Sequence, residues 1–323
     1  MNFYFAPLEG LTGYIYRNAH HAFFPKGIAK YFAPFIVANQ SDSFKTRDLN
    51  DILPENNQGI YLVPQLLTNN ADDFIHTAKR IKLLGYSEIN LNLGCPSGTV
   101  VSKNRGAGFL AKRAELDLFL EKIFNQPVTK ISVKTRIGKD RPEEFEALIE
   151  IFNKYPMEEL IVHPRVQTDY YKNKPNMEAF QAALDRSRSP VCYNGNLFTA
   201  EDYARFSNRY PGAGTVMLGR GLLMNPGLIH EILYDIKPEK NQLRDFHDKL
   251  YEGYKRILYG ERDVLFKMKE LWSYMIWAYS DNAKHAKRIK KAQSLHAYEE
   301  AVSCLFSESD INQLMDGQNF GKL

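Results

Sequence analysis

Cys95 stands in NLNLGCPSG, with a glycine before it and a proline after. Those neighbours fix a tight turn just beyond an apolar run, and such a turn presents the sulfur. A presented thiol can act as a general acid, or as a nucleophile once ionised. The plain alternative is a small buried apolar residue, which is the reading given to Cys192 and Cys304. Lys134 closes ISVK, and a lysine at the end of an apolar strand needs an anionic or electron-rich partner, because an isolated buried charge is expensive. The N1–C2=O edge of a flavin, which gains negative charge on reduction, is one such partner. His163 closes LIVH, where a cofactor or substrate contact competes with a purely structural role. Asn194-Gly195-Asn196 and Gly219-Arg220-Gly221 are either simple turns or a cradle in which glycines admit phosphate oxygens and the guanidinium adds a charge-assisted pair.

These residues need elements to bring them together. Short apolar runs at Phe3–Ala6, Tyr31–Phe35, Tyr61–Gln65, Glu88–Asn92, Ile131–Lys134, Leu160–His163, Pro190–Tyr193 and Thr215–Leu218 read as strands. Amphipathic stretches such as Ala71–Leu84, Leu116–Phe124, Phe145–Phe152 and Glu201–Asn208 read as the helices between them, the last with Thr199 as its N-cap. Repeated βα units of this kind predict a (β/α)8 TIM barrel over residues 1–237. An open doubly wound sheet is the rival, weakened by the lack of a GxGxxG after the first strand. In a barrel, catalytic groups sit where strands end. Pro7 and Glu9, Gln65, Asn92, Lys134, His163, Asn194 and Gly219-Arg220 all lie at or just past proposed strand ends. After DIKPEK the chain reads as helix only: Leu243–Leu258, Leu265–Tyr279 and Lys284–Leu305. Residues 238–323 are therefore expected to form a small all-α domain.

Composition bounds the function. The chain has 323 residues, is 44% hydrophobic and 25% charged, and carries a net charge of +4. No apolar run approaches the roughly 18 residues that a membrane span requires. The N-terminus, MNFYFAPLEG, lacks a basic n-region and a cleavage signal and reads as mature structure. Three cysteines, none in a CxxC or Cys/His pattern, argue against a disulfide framework and against zinc or iron–sulfur ligation, and for a reducing cytoplasm. No metal is expected. With no heptad or long apolar stripe on show, a monomer is expected. The basic run Lys284, Lys287, Arg288, Lys290 and Lys291 suits a phosphate backbone, or is a solvated helix face.

The set APLEG, NLNLGCPSG, VKTR, VHPR, NGN and MLGRG, in that order, resembles the tRNA-dihydrouridine synthases, over essentially the whole barrel. The helical tail with FKMKELWSYM is similar to the RNA-binding domain of the bacterial C-type subfamily. The resemblance implies FMN as cofactor, NADPH as reductant, and transfer RNA as the nucleic-acid substrate. It places Pro7, Leu8, Glu9, Gln65, Lys134, His163, Asn194, Gly195, Asn196, Gly219 and Arg220 on flavin-binding positions, Cys95 on the proton donor, and Asn92 on a uracil contact. The implied chemistry is hydride transfer from reduced flavin to C6 of uracil and protonation of C5 by Cys95. Arg165, Tyr171 and Lys172 are further candidates to engage the flipped-out base or its phosphate.

One departure stands out: Gly98 occupies a position where many relatives carry lysine, with Lys103 and Arg105 later in the loop as substitutes that fold over Cys95. Two alternatives stay open on the residues alone. One is a flavin-dependent reductase or oxidase of a small molecule, as in dihydroorotate dehydrogenases, or dihydrouridine synthesis on ribosomal RNA. The other is a barrel retained only to bind or fold RNA.

Overall fold

The computed structural model describes residues 1–312; residues 313–323, the end of the expected 238–323 domain, lie outside the described residues. Residue contacts divide the chain into two compact units. One comprises Met1–Glu9, Ala29–Asn196 and Ser207–Met217; the other comprises Gly10–Ile28, Leu197–Phe206 and the chain from Leu218 onward.

A barrel forms the first unit. Strand segments β1 (Asn2–Phe5), β2 (Ile28–Phe32), β3 (Ile36–Val37), β4 (Leu62–Val63), β5 (Gln65–Leu67), β6 (Glu88–Leu93), β7 (Lys130–Gly138), β8 (Leu160–Val166), β9 (Val191–Tyr193) and β10 (Thr215–Leu218) make one ten-stranded sheet, ordered β3-β5-β6-β7-β8-β9-β10-β1-β2-β4. Segments β2 and β3 are one stave interrupted around Pro34, and β4 and β5 another interrupted at Pro64, because proline has no N–H for the ladder. β2 pairs with β4 and β3 with β5, both parallel. The two ends of the sheet order therefore meet, and the ten segments make the eight staves of the expected (β/α)8 barrel. Helices Ala71–Leu83, Arg113–Asn125, Glu144–Phe152 and Met177–Arg186 separate successive staves. The first of them is capped by Asn70, whose side chain accepts from the N–H groups of Asp72 and Asp73, as N-cap chemistry requires.

Strand ends differ from the sequence expectation where it matters. β7 runs on to Gly138 and β8 to Val166, so Lys134 and His163 lie inside strands and not at their ends. The ladder itself carries the extension: Arg136 stands opposite His163 and Gly138 opposite Val166, with a register shift between them. Such bulges re-aim side chains beside functional sites.

Alternation along the staves sorts the barrel interior into layers. A buried apolar cluster of Tyr4, Ala6, Phe32, Val63, Ile161, Cys192 and Met217 fills the middle. Toward the strand starts lies a polar layer, in which Lys30 Nζ donates to Glu88 Oε2 at 2.6 Å and Tyr4 Oη donates to Glu159 Oε1 at 3.2 Å. Toward the strand ends lies a second polar layer that holds Asn92, Lys134 and His163.

The second unit includes four helices after the barrel staves: Lys240–Ile257, Glu261–Met275, Asn282–Lys291 and Leu295–Glu308. The stretch expected as helix from Lys284 to Leu305 is thus two helices, the second capped by Ser294 Oγ, which accepts from Ala297 N at 3.2 Å. Helix Tyr14–Phe23 packs on Lys240–Ile257, with the ring of Tyr16 edge-on to Phe246 at 5.6 Å. Gly253 permits the approach: a Cβ there would stand 2.7 Å from Ile15 Cγ2. A directional network pins the core. Trp272 Nε1 donates to Tyr298 Oη at 2.8 Å, and Tyr298 Oη lies 2.6 Å from His247 Nε2. A carboxylate only accepts, so His247 carries its proton on Nδ1, 2.7 Å from Asp248 Oδ1, and its Nε2 accepts from Tyr298. Cys304 departs from the buried role expected of it: it is half-buried, and its sulfur accepts from Arg288 Nη1 at 2.9 Å. Among the described residues no helix is long and apolar enough to cross a membrane.

The lower polar layer generates a stability prediction. Burial pushes the Glu159 carboxyl up to about 7. A carboxyl that holds its proton more tightly when folded stabilises the fold while protonated, and that contribution disappears as pH rises from the ordinary carboxylate range through about 7. Urea denaturation should show the parent losing on the order of 2–3 kcal/mol from this group between pH 4.5 and 7.5, a slope that Glu159→Gln removes. Parallel pH curves for parent and variant would contradict the assignment.

Candidate active site

Three neighbouring staves build the upper layer. In β6, Glu88, Asn90 and Asn92 alternate with Ile89, Leu91 and Leu93; in β7, Ser132, Lys134 and Arg136 alternate with apolar residues and Thr135; in β8, Ile161, His163 and Arg165 share one face. Asn90 stands opposite Ser132, Asn92 opposite Lys134, and Arg136 opposite His163. A polar residue at every second position is costly on a buried strand unless each finds a partner.

The partners form a chain. Ser132 Oγ accepts from Asn90 Nδ2 at 3.0 Å, Asn90 Oδ1 accepts from Gln65 Nε2 at 2.7 Å, and Gln65 Oε1 accepts from Asn92 Nδ2 at 2.8 Å. Asn92 Oδ1 then accepts from the backbone N–H groups of Gly94 at 3.0 Å and Cys95 at 2.9 Å. One amide side chain thus shapes the turn that carries the sulfur. Cys95 is half-buried, and burial pushes its thiol above the usual range. Beyond it the chain makes a short helix, Gly98–Val101, then returns: Ala107 N donates to the Cys95 carbonyl at 3.1 Å. Gly106, at φ +54, lies so close that a Cβ would stand 2.8 Å from the Cys95 carbonyl oxygen. The segment folds onto Cys95 at this glycine. Arg105 Nε donates to Asn69 Oδ1 at 3.3 Å, and Lys103 is exposed. A Cβ at Gly98 would meet nothing within 4 Å, so the glycine that departs from the resemblance is not required by packing.

The electrostatics are one-sided. Among the described residues the Lys134 ammonium has no ion-pair or hydrogen-bond partner, and burial beside Arg136 lowers its pKa to about 8. Arg136 is 1% exposed, and among the described residues no carboxylate forms an ion pair with it, although Asp169 acts on it from farther away. Its guanidinium donates to the carbonyls of Gly94, Val166 and Tyr170 at 3.0, 2.8 and 2.9 Å. Arg165, expected to follow the sixth strand as a substrate contact, lies within β8 and is buried; Nη1 donates to His163 Nε2 at 2.8 Å and Nε to the Asn173 carbonyl at 2.6 Å. A guanidinium has no lone pair to offer, so His163 carries its proton on Nδ1. The Tyr171 ring lies 6.0 Å from that of His163 and 5.6 Å from the Arg136 guanidinium, while Lys172 is exposed.

The other expected residues sort as follows. Pro7 and Leu8 are half-buried and Glu9 is exposed, with Glu9 Oε1 3.1 Å from Arg47 Nη2. Asn194 Nδ2 donates to the Met217 carbonyl at 2.8 Å. Gly195 is dictated by Tyr193, whose Oη would lie 2.0 Å from a Cβ, and Asn196 follows it half-buried. In the second unit Gly219 precedes the short helix Arg220–Met224, and the Arg220 guanidinium lies over the Phe198 ring at 5.2 Å. Sequence reasoning singled out neither Asn90 nor Ser132 and passed over Arg136. The signal was the alternation within EINLNL and ISVKTR, where polar residues recur with a period of two.

The dihydrouridine synthase (Dus) family profile matches residues 4–312. A tRNA-dihydrouridine(16) synthase of Neisseria meningitidis serogroup B is 30% identical over 172 residues, which cover 52% of this chain and 51% of that protein. A protein of the same name from Pseudomonas putida is 30% identical over 195 residues, 59% of this chain and 60% of that one. A tRNA-dihydrouridine(20/20a) synthase of Vibrio cholerae is 29% identical over 220 residues, 62% of this chain and 65% of its own. The matched stretches thus span roughly half to two thirds of those relatives. Histamine dehydrogenase from Rhizobium sp. 4-9 superposes with a TM-score of 0.56 at 12% identity, over 80% of this chain and 49% of that one, a likeness of fold alone.

The geometry predicts that Asn92→Ala, which orphans two backbone N–H groups and Gln65 Oε1, lowers unfolding free energy by about 1–3 kcal/mol. Chemical denaturation measures it; an unchanged midpoint and slope would show that the Cys95 turn holds without Asn92.

Proposed function

The chain belongs to the dihydrouridine synthase (Dus) family, and from that premise we propose that it reduces specific uridines in transfer RNA to 5,6-dihydrouridine, with FMN as cofactor, NADPH as reductant and Cys95 as proton donor. One observation carries the reading: a half-buried thiol stands on a turn fixed from below, beside a layer holding two cations, Lys134 and Arg136, that form no ion pair among the described residues. The Lys134 ammonium, without a partner among the described residues, is the fit for a flavin, because a group that gains negative charge on reduction supplies the missing counter-charge. Bound FMN would supply the hydride that goes to C6 of uracil. Lys134, Gln65 and His163 would hold its ring. Pro7, Leu8 and Glu9 would flank it, and Asn194, Gly195 and Asn196 would hold its phosphate. The resemblance adds Gly219 and Arg220.

The proton completes the reaction. Hydride at C6 leaves an electron pair at C5 conjugated with the C4 carbonyl, and Cys95 Sγ–H gives its proton to C5, leaving a thiolate that solvent reprotonates. The lysine and arginine nearby stabilise that thiolate transiently, while burial keeps the resting thiol protonated. The Asn92 side chain fixes where the sulfur stands, which matters because an ångström of misplacement is expensive in a proton transfer. Asn92 keeps one N–H beyond its bond to Gln65 for the uracil. Tyr171 and Lys172 would meet the base after it has left its stack. Residues 238–323 would hold the folded RNA, with Lys287, Lys290 and Lys291 exposed on one helix for backbone contacts. Lys284 and Arg288 of that run are occupied by Glu308 and Cys304.

Mass-spectrometric mapping of dihydrouridine in RNA from cells with and without the gene tests the assignment. Loss of the modification at defined transfer-RNA positions is expected; an unchanged map would overturn it. The pH profile tests the donor. A protonated thiol is the active form and its pKa is raised, so single-turnover reduction should hold through the range near about 8.5 where ordinary thiols ionise and fall only above it. A fall beginning below pH 8 would contradict a buried thiol donor.

A further inference from the structure

Two segments meet at the upper rim of the barrel unit. One is the Cys95 turn, residues 94–97. The other is the excursion 166–173 that leaves β8. Arg136 lies beneath both: Nε bonds the Gly94 carbonyl on one side, and Nη1 and Nη2 bond the Val166 and Tyr170 carbonyls on the other. A second tie runs parallel, from Gln167 Nε2 to the Pro96 carbonyl at 3.0 Å. Tyr170, whose carbonyl Arg136 holds, has φ 49 and ψ −100, a conformation that a non-glycine residue keeps only where its surroundings impose it. Arg136 is fully buried and among the described residues has no carboxylate in ion-pair contact, Asp169 acting on it only from farther away, an arrangement that would be expensive if cohesion were its only role, since an apolar side chain would fill the space at less cost. Only a guanidinium offers several N–H groups in one rigid fork, enough to reach three carbonyls at once.

We propose that Arg136 is a positioning residue that locks the Cys95 turn and the 166–173 segment into one body, so that whatever settles against Tyr170 and Tyr171 also fixes the place of the sulfur. This rests on the reading of Cys95 as proton donor. Its consequence is that substrate contact on one segment and proton delivery from the other are mechanically joined.

The test compares the parent with Arg136→Lys, which keeps the charge but cannot span three carbonyls, and with Gln167→Ala, which cuts only the second tie. Two readouts need no turnover: peptide-resolved hydrogen exchange of the two segments, and iodoacetamide alkylation of Cys95 across pH, followed on its own peptide. In Arg136→Lys both segments should exchange faster together, and the plateau alkylation rate should rise about tenfold, the size expected for losing hydrogen bonds to a charged group. The midpoint of the alkylation curve should stay near the parent's because the charge remains. A purely electrostatic role would leave exchange and plateau unmoved. With RNA, kcat should fall by a larger factor than KM rises. Gln167→Ala should loosen both segments to a smaller extent, and it decides the matter if the arginine variant does not fold. Loosening of one segment without the other, in either folded variant, overturns the proposal. Because exchange and alkylation are read without reduction of RNA, a parent that leaves uridine intact would refute the proposed function while this coupling was still decided.

Discussion

The placement of one sulfur depends on a side-chain amide relay. Ser132, Asn90, Gln65 and Asn92 pass hydrogen bonds across three staves and end on the N–H groups of Gly94 and Cys95. Each link lies inside the barrel, where an unmet donor or acceptor is penalised and a met one is correspondingly rigid. The turn therefore inherits its geometry from the sheet, although Cys95 itself lies on a loop.

The apolar middle of the barrel gives that relay its setting. Ile161, Cys192 and Met217 belong to a plug that separates a lower layer, rich in Glu88 and Glu159, from an upper layer with Lys134 and Arg136. The lower carboxyls are answered within their own layer, Glu88 by Lys30 at 2.6 Å and Glu159 by burial that favours its protonated form, so neither forms an ion pair with the upper cations. The upper layer is left electropositive, which is what the proposed flavin would call for.

Much of this was legible in the sequence, for identifiable reasons. The turn glycine and proline around Cys95, the apolar run before it, and the period-two polar residues in EINLNL survive as written because they are local. The barrel was legible because eight apolar runs alternate with amphipathic ones. What local pattern could not give was strand length. Lys134 and His163 read as strand ends because a charged and an aromatic polar residue follow apolar runs, yet the ladder between β7 and β8 continues to Gly138 and Val166. For the same reason Arg165 read as a loop residue free for substrate and is instead buried against His163. The role of Arg136 depends on carbonyls far apart in the chain, which no spacing rule records. Nor could periodicity alone reveal that Tyr14–Phe23 groups with the later helices.

The central claim is that the Cys95 thiol gives the proton that ends the reaction. Single-turnover reduction of transfer RNA by flavin-loaded, pre-reduced protein, with Cys95→Ala against the parent, measures it most directly. The account predicts that the variant binds flavin and RNA as the parent does while dihydrouridine formation slows by about 10²–10⁴-fold, the usual worth of a positioned general acid. Formation of dihydrouridine by the variant at the parental rate would contradict it.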